Sequence, residues 1–217
     1  MAMDLALHGY WRSTASYRVR IALNLKGLDY RQITHDLRSG EQSSADYAAI
    51  NPQGLVPALE THGTTLTQSP AILEWLEERF PTPPLLPATP GDRVIIRAMV
   101  ALVCCDMHPL NNLRVLNALR KDFGASEAKL SRWIAHWIET GFAALEQLVA
   151  RHGSGFAFGD APTLADCCIV PQAYSAQRFG ISLKPYPAIA SSVESCQKLH
   201  EFEDADPVNQ PDAITII

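Results

Sequence analysis

Basic residues are scarce in this chain and never cluster: 18 Lys and Arg stand against 23 acids among 217 residues, for a net charge of −5. The charge divides as about −2 before residue 85 and −3 after it, so neither half is a basic platform for nucleic acid. Long apolar runs are missing as well. The run Met99–Cys105 ends at Asp106, far short of the ~20 residues that span a bilayer. Met1-Ala-Met-Asp lacks the charged-then-apolar order of a secretory signal. Cysteine is sparse: Cys104, Cys105, Cys167, Cys168 and Cys196, with no C-x-x-C pair. An odd number in apolar surroundings reads as reduced core thiols, not a disulfide framework. Cys104 and His108 are four apart, as two ligands on a helix face would be, but nothing nearby completes a zinc set, so no metal is expected. Together these absences predict a soluble, cytoplasmic protein without a nucleic-acid or membrane partner.

What is present is ordered. Apolar residues make up 47% and charged residues 19%, the composition of a globular chain. Pro81–Pro90 holds five of the fifteen prolines, which no helix or central strand accepts, and so marks a linker. Before it, Leu5–His8 and Tyr30–Thr34 read as strands. Ser16–Lys26 reads as a helix ended by Gly27, and Ser43–Ile50 as a short helix. Pro57–Glu60 and Thr64–Thr67 flank His62-Gly63 as a hairpin. Ser69-Pro70 then opens a helix, with serine read as the cap and proline as its first residue. The order βαβ then αββα predicts a small sheet covered by helices.

Beyond Pro90 the signal is helical. Val94–Leu119 reads as one long helix kinked at Pro109. Leu130, Trp133, Ile134, Trp137, Ile138, Phe142, Leu145 and Val149 recur at three- and four-residue steps, one face of an amphipathic helix. Thr163 and Asp166 form a capping box at the start of a third, apolar helix, which makes Asp166 structural. Residues 201–217 hold five acids and no Lys or Arg, and read as a solvated tail.

Several segments carry chemistry. Ser13 stands where the first strand hands over to the first helix. There a hydroxyl can cap the helix, or donate to an anion beside the helix's positive end. Gln68-Ser69 opens another helix, whose free amides suit an anion or need only a cap. Three segments, Trp11–Leu23, Asn51–Leu59 and Leu66–Ile72, join Gly159–Asp166 in an order that resembles the soluble glutathione transferases. Residues 13–23 resemble the zeta-class signature Ser-Ser-Cys-x-x-Arg-Val-Arg-Ile-Ala-Leu. Cys104–Asn112 is similar to the maleylpyruvate and maleylacetoacetate isomerases of that class. The resemblance covers essentially the whole chain. It implies a thioredoxin-like α/β domain (1–82), the proline-rich linker (83–90) and an all-α domain (91–217).

That resemblance also implies a reaction. Glutathione is the expected cofactor, held by Ser13, Thr14, Gln42, Val56, Gln68, Ser69, His108 and Asn112. Val56 would pair its backbone with the tripeptide beside a cis proline. Arg12, Arg114 and Arg178 match positions facing a dicarboxylate substrate, a task that suits the planar guanidinium fork. Taken singly, each arginine reads as a surface or ion-pair residue and His108 as a satisfied buried histidine; the joint match of the three arginines to the isomerase pattern reverses the reading for them. Arg12, Ser13 and Arg178 are the expected catalytic residues of a cis–trans isomerase of maleyl-substituted dioxo acids, assembled as a homodimer. Conjugation or dehalogenation of small α-halo acids, and a non-catalytic glutathione-fold binding module, are the alternatives. Arg18 and Arg20 read as structural ion-pair partners. One departure stands out: Ala15 occupies the signature's cysteine position and Thr14 its second serine, so no cysteine of the protein can act as nucleophile there.

Overall fold

A computed structural model describes residues 4–214. Two compact units form. One runs to Pro84 and resumes from Gln197; the other is Leu85–Cys196.

The first unit is built on a four-stranded sheet of β1 (Leu5–Gly9), β2 (Arg31–Thr34), β3 (Ala58–Thr61) and β4 (Thr64–Thr67), in the order β2-β1-β3-β4. Strand β1 lies parallel to β2, with Leu7 opposite Gln32, and antiparallel to β3, with Leu7 opposite Leu59. Every residue of β1 is buried, as a central strand covered on both faces requires. His62 and Gly63 both take positive φ, 45° and 76°, the left-handed pair that a two-residue hairpin turn demands. Helices α1 (Thr14–Leu25) and α3 (Ser69–Arg79) pack on each other, and α2 (Ala45–Ile50) precedes the hairpin. Gly27, at φ 62°, ends the first helical segment as expected. Lys26 Nζ, wholly buried, reaches Glu77 Oε2 at 2.6 Å and the Pro83 carbonyl at 2.5 Å, tying α1 to α3 and to the linker.

The second unit is helical. Its long segment differs from the sequence expectation: α4 (Pro90–Ala101) gives way to a π-helical stretch at Leu102–Met107, then a 3₁₀ turn at His108–Asn111, then α5 (Leu113–Phe123). Pro109 has no amide to donate, and Asn112 Oδ1 accepts the Arg114 amide at 3.1 Å, which starts a new helix rather than kinking the old one. By length and composition Pro90–Phe123 is apolar enough to cross a membrane. Yet it is broken by these turns, and its Ile96, Met99, Val103, Met107 and Leu116 are buried in this unit. Helix α6 (Glu127–His152) buries Leu130, Ile134, Ile138, Phe142, Leu145 and Val149 of the expected face, while Trp133 and Trp137 are half-buried at its edge. Trp133 Nε1 donates to the Leu110 carbonyl at 2.8 Å, fixing α6 to the 3₁₀ turn. Helix α7 (Leu164–Arg178) opens on the Thr163–Asp166 capping box. Asp166 also accepts the Ala157 amide at 2.8 Å and lies 3.6 Å from Cys196 Sγ, at the end of α8 (Pro187–Cys196).

The acidic C-terminal segment is not a solvated tail. Helix α9 (His200–Ala205) packs on α1, with Phe202 and Ala205 buried. Arg20 Nε donates to the Ala205 carbonyl at 2.9 Å, and Asp212 Oδ2 accepts the Trp11 amide at 2.9 Å. Counting acids hid two apolar anchors and a set of backbone acceptors. The residues from Gln197 onward form one compact unit with the α/β residues.

Candidate functional site

Expected site residues fall on both units: Arg12, Ser13, Thr14, Gln42, Val56, Gln68 and Ser69 on the first, His108, Asn112, Arg114 and Arg178 on the second. Within the first unit the sheet sets them out. Strand β1 ends at Gly9, and a turn closed by the Ser13 amide on the Tyr10 carbonyl (3.0 Å) delivers Ser13 as the N-cap of α1. Its Oγ accepts the Ser16 amide at 3.2 Å. Capping uses a lone pair and leaves the hydroxyl proton to donate outward, so the cap and a thiolate-donor role are compatible. Arg12, half-buried, lies with its guanidinium 5.5 Å from the Trp11 ring centroid. Thr14 is buried as the first residue of α1.

Val56 precedes a cis peptide to Pro57. The loop before it is clamped from two sides: Tyr47 Oη and Asn51 Nδ2 both donate to the Leu55 carbonyl, at 2.7 and 2.6 Å. Burial pushes the Tyr47 hydroxyl up to about 12, so it stays a donor. Val56 itself enters no backbone hydrogen bond among the described residues, which leaves its amide and carbonyl for an extended ligand. Gln42 Oε1 is buried without a hydrogen-bond partner, and the Gln42 carbonyl sits 3.0 Å from where a side chain on Gly54 would begin. Gly54 has φ 62°, so glycine is required there for conformation as well as for space.

At the start of α3 the structure corrects the expected cap. Gln68 is the N-cap, with a positive φ of 67°, while Ser69 and Pro70 are the first two helical residues. Ser69 stands inside the helix and not at its N-cap, and its hydroxyl accepts Arg18 Nη1 at 3.1 Å. Gln68 Nε2 donates to Gln53 Oε1 at 2.5 Å. Nor do Arg18 and Arg20 pair with an acid among the described residues. Arg20 donates to the Ala205 and Trp11 carbonyls, and burial lowers it to about 10, still charged at neutral pH. These roles were missed, although α1 has no acid at all among its twelve residues, which already left both arginines without a local partner.

On the second unit, His108 is half-buried in the 3₁₀ turn. Asn112 uses Oδ1 to cap α5, which leaves its Nδ2 for other work. Arg114, in the first turn of α5, is exposed. Arg178 closes α7, exposed, with its guanidinium 4.9 Å from the Phe179 ring and 5.9 Å from that of Tyr174. No group of three or more His, Cys, Asp or Glu that could hold a metal occurs among the described residues.

Residues 12–79 match the family model described as glutathione S-transferase, N-terminal domain. The chain is 50% identical over 212 residues to a maleylpyruvate isomerase from Ralstonia sp, covering 96% of this chain and all of that one. It is 49% identical over 211 residues to a maleylacetoacetate isomerase from Pseudomonas aeruginosa, covering 96% and 98%. Among solved structures, the holo form of a zeta-class maleylpyruvate isomerase superposes with a TM-score of 0.94 at 49% identity, over 96% of this chain and 100% of that one. The chain belongs to the zeta-class glutathione S-transferase family. A second solved structure, a maleylacetoacetate isomerase from Anaeromyxobacter dehalogenans 2CP-1, carries dicarboxyethyl glutathione and citrate in its active site. It matches with a TM-score of 0.88 at 44% identity, over 98% and 99% of the two chains. The glutathione S-transferase fold expected from the sequence, a thioredoxin-like sheet with an all-helical domain, is the fold observed.

Proposed function

We propose that this zeta-class protein is a glutathione-dependent cis–trans isomerase of maleyl-substituted dioxo acids, maleylpyruvate or maleylacetoacetate. The observation that carries the reading is near-equal, full-length identity to both named isomerases, joined to a Ser13 hydroxyl placed at a helix N-terminus with its proton uncommitted. The residues present fit glutathione: an open Val56 backbone, an unpartnered Gln42 oxygen and the N-terminus of α3 each match a polar feature of a γ-glutamyl tripeptide. Bound glutathione supplies the thiolate that adds to the double bond, permits rotation and departs unconsumed.

The chain's own residues prepare that chemistry. A free thiol has a pKa near 8.5 and is only slightly ionised at neutral pH. Ser13 donates to the sulfur while the α1 terminus adds positive potential, and each unit of lowering takes about 1.4 kcal/mol. Val56 aligns the cysteinyl backbone by strand addition. Gln42, Thr14, Gln68, Ser69, His108 and Asn112 complete the cofactor contacts. Arg12, Arg114 and Arg178 hold the substrate carboxylates, and Arg12 and Arg178 stabilise the negative charge that grows on the substrate during addition. A substrate with only apolar surface would gain nothing from such guanidinium groups and would have to strip their water. Assembly as a homodimer and residence in the cytoplasm belong to the same reading; size-exclusion chromatography tests the first.

Initial rates on maleylpyruvate and maleylacetoacetate, each with and without glutathione, test the function. Isomerisation of at least one, at a rate that depends on glutathione, is the expected result. Absence of glutathione-dependent turnover on both contradicts the reading and favours conjugation or a binding module.

A further inference from the structure

Three cations lie on or beside α1 and are buried: Arg18, Arg20 and Lys26. Lys26 is matched by Glu77 and the Pro83 carbonyl, and Arg20 by two backbone carbonyls. Arg18 is different. It is 2% exposed, its Nη1 donates to Ser69 Oγ at 3.1 Å, and its Nε and Nη2 have no hydrogen-bond partner. Among the described residues no carboxylate pairs with it. A buried guanidinium is retained at a cost unless an anion offsets it.

Its one bond points to where that anion belongs. Ser69 is the first residue of the eleven-residue helix α3, 4% exposed, and the amides of that first turn form the positive end of the helix. Because Ser69 Oγ spends a lone pair on Arg18, its proton is free to be donated to a ligand. A hydroxyl that accepts from a cation is also a stronger donor, since successive hydrogen bonds polarise one another. A full positive charge, a polarised O–H and a helix N-terminus therefore act on one spot.

We propose that Arg18 is a positioning residue for glutathione binding, supplying through Ser69 the charge that holds the α-carboxylate of the γ-glutamyl group. Arg18 does not touch the ligand; it orients and polarises the hydroxyl that does. The proposal rests on the glutathione reading above, and it accounts for a buried cation that the fold alone leaves unmatched.

The test compares calorimetric affinities for glutathione and for 4-aminobutyryl-cysteinyl-glycine, which keeps the amine, thiol and glycine but lacks that carboxylate. The wild-type protein should prefer glutathione by roughly tenfold or more, the size of a charge-assisted hydrogen bond. In Arg18→Gln the preference should fall to within about twofold while affinity for the analogue stays unchanged, because only the carboxylate-dependent part of binding is removed. Arg18→Lys, which keeps the charge, should retain most of the preference and is the variant to read if the glutamine protein does not fold. Ser69→Ala should abolish the preference, and adding Arg18→Gln to it should change nothing further. Equal weakening of both ligands by Arg18→Gln overturns the proposal as a merely structural effect. So does a preference left intact in Ser69→Ala, or lost in Arg18→Lys. A wild-type protein that binds neither ligand contradicts the glutathione reading itself, a separate result.

Discussion

Ser13 carries two functions on one oxygen, and substitution separates them. Ser13→Ala removes the acceptor of the Ser16 amide, a 3.2 Å cap bond, and loss of such a cap costs about 1 kcal/mol. For a protein of this length that lowers the melting temperature by roughly 2–4 °C. The same change removes the donor to the glutathione sulfur. A hydrogen bond to a charged acceptor contributes about 1.5–3 kcal/mol, so the pKa of the bound thiol should rise by roughly one to two units at 1.36 kcal/mol each. Ser13→Gly is the decisive control. Glycine is tolerated at an N-cap at a cost of only a few tenths of a kcal/mol, so it should melt close to wild type and yet show the same rise in thiol pKa. Ultraviolet titration of the bound thiolate, run beside thermal melts of all three proteins, measures both quantities. If the thiol titrates alike in all three while only the alanine protein loses stability, Ser13 is a cap and nothing more.

Arg12→Ala and Arg178→Ala should each raise the KM for the dicarboxylate about tenfold or more at saturating glutathione, the loss of a charge-assisted contact. Arg120→Ala, which breaks surface contacts with Glu127 and Asn117, should leave the KM unchanged. Asp166 is predicted to make stability depend on pH. Burial holds its carboxyl above the ordinary carboxylate value, although the Ala157 and Thr163 amides, the Thr163 hydroxyl and Cys196 pull the other way. A raised folded pKa means that the carboxyl's contribution is complete below the unfolded value near 3.8 and is lost as pH rises through the folded one. Melting temperatures of wild type and Asp166→Asn, compared from pH 7 to pH 4, should therefore shift in favour of wild type as the pH falls. A shift the other way refutes the burial argument.

The parts of this structure that were legible in the sequence are those set by local chemistry. Thr163 and Asp166 announced the start of α7 because a capping box is complete within four residues. Leu130 to Val149 announced the buried face of α6 because helical periodicity is local too. Gly27 ended the first helix for the conformational reason that glycine ends helices. What escaped depends on partners far along the chain. Arg20 finds the Ala205 carbonyl 185 residues away, and Asp212 finds the Trp11 amide 201 residues away. Composition therefore saw an acidic tail where Phe202 and Ala205 anchor a helix. Ser69 looked like a cap because serine before proline usually is one; Arg18, 51 residues earlier, claims its hydroxyl instead. The π-helical stretch at Leu102–Met107 had no signal beyond Pro109 and Asn112 downstream, which fix where the next helix must begin.

The claim at the centre is that glutathione is a catalyst held by this chain and not a reactant. The most direct measurement supplies maleylpyruvate in large excess over glutathione and follows both the trans product and the free thiol to completion. Product many times the glutathione present, with the thiol fully recovered, is the predicted result. Product that stops at one equivalent of glutathione, with the thiol consumed, would contradict the account and make the protein a conjugating transferase.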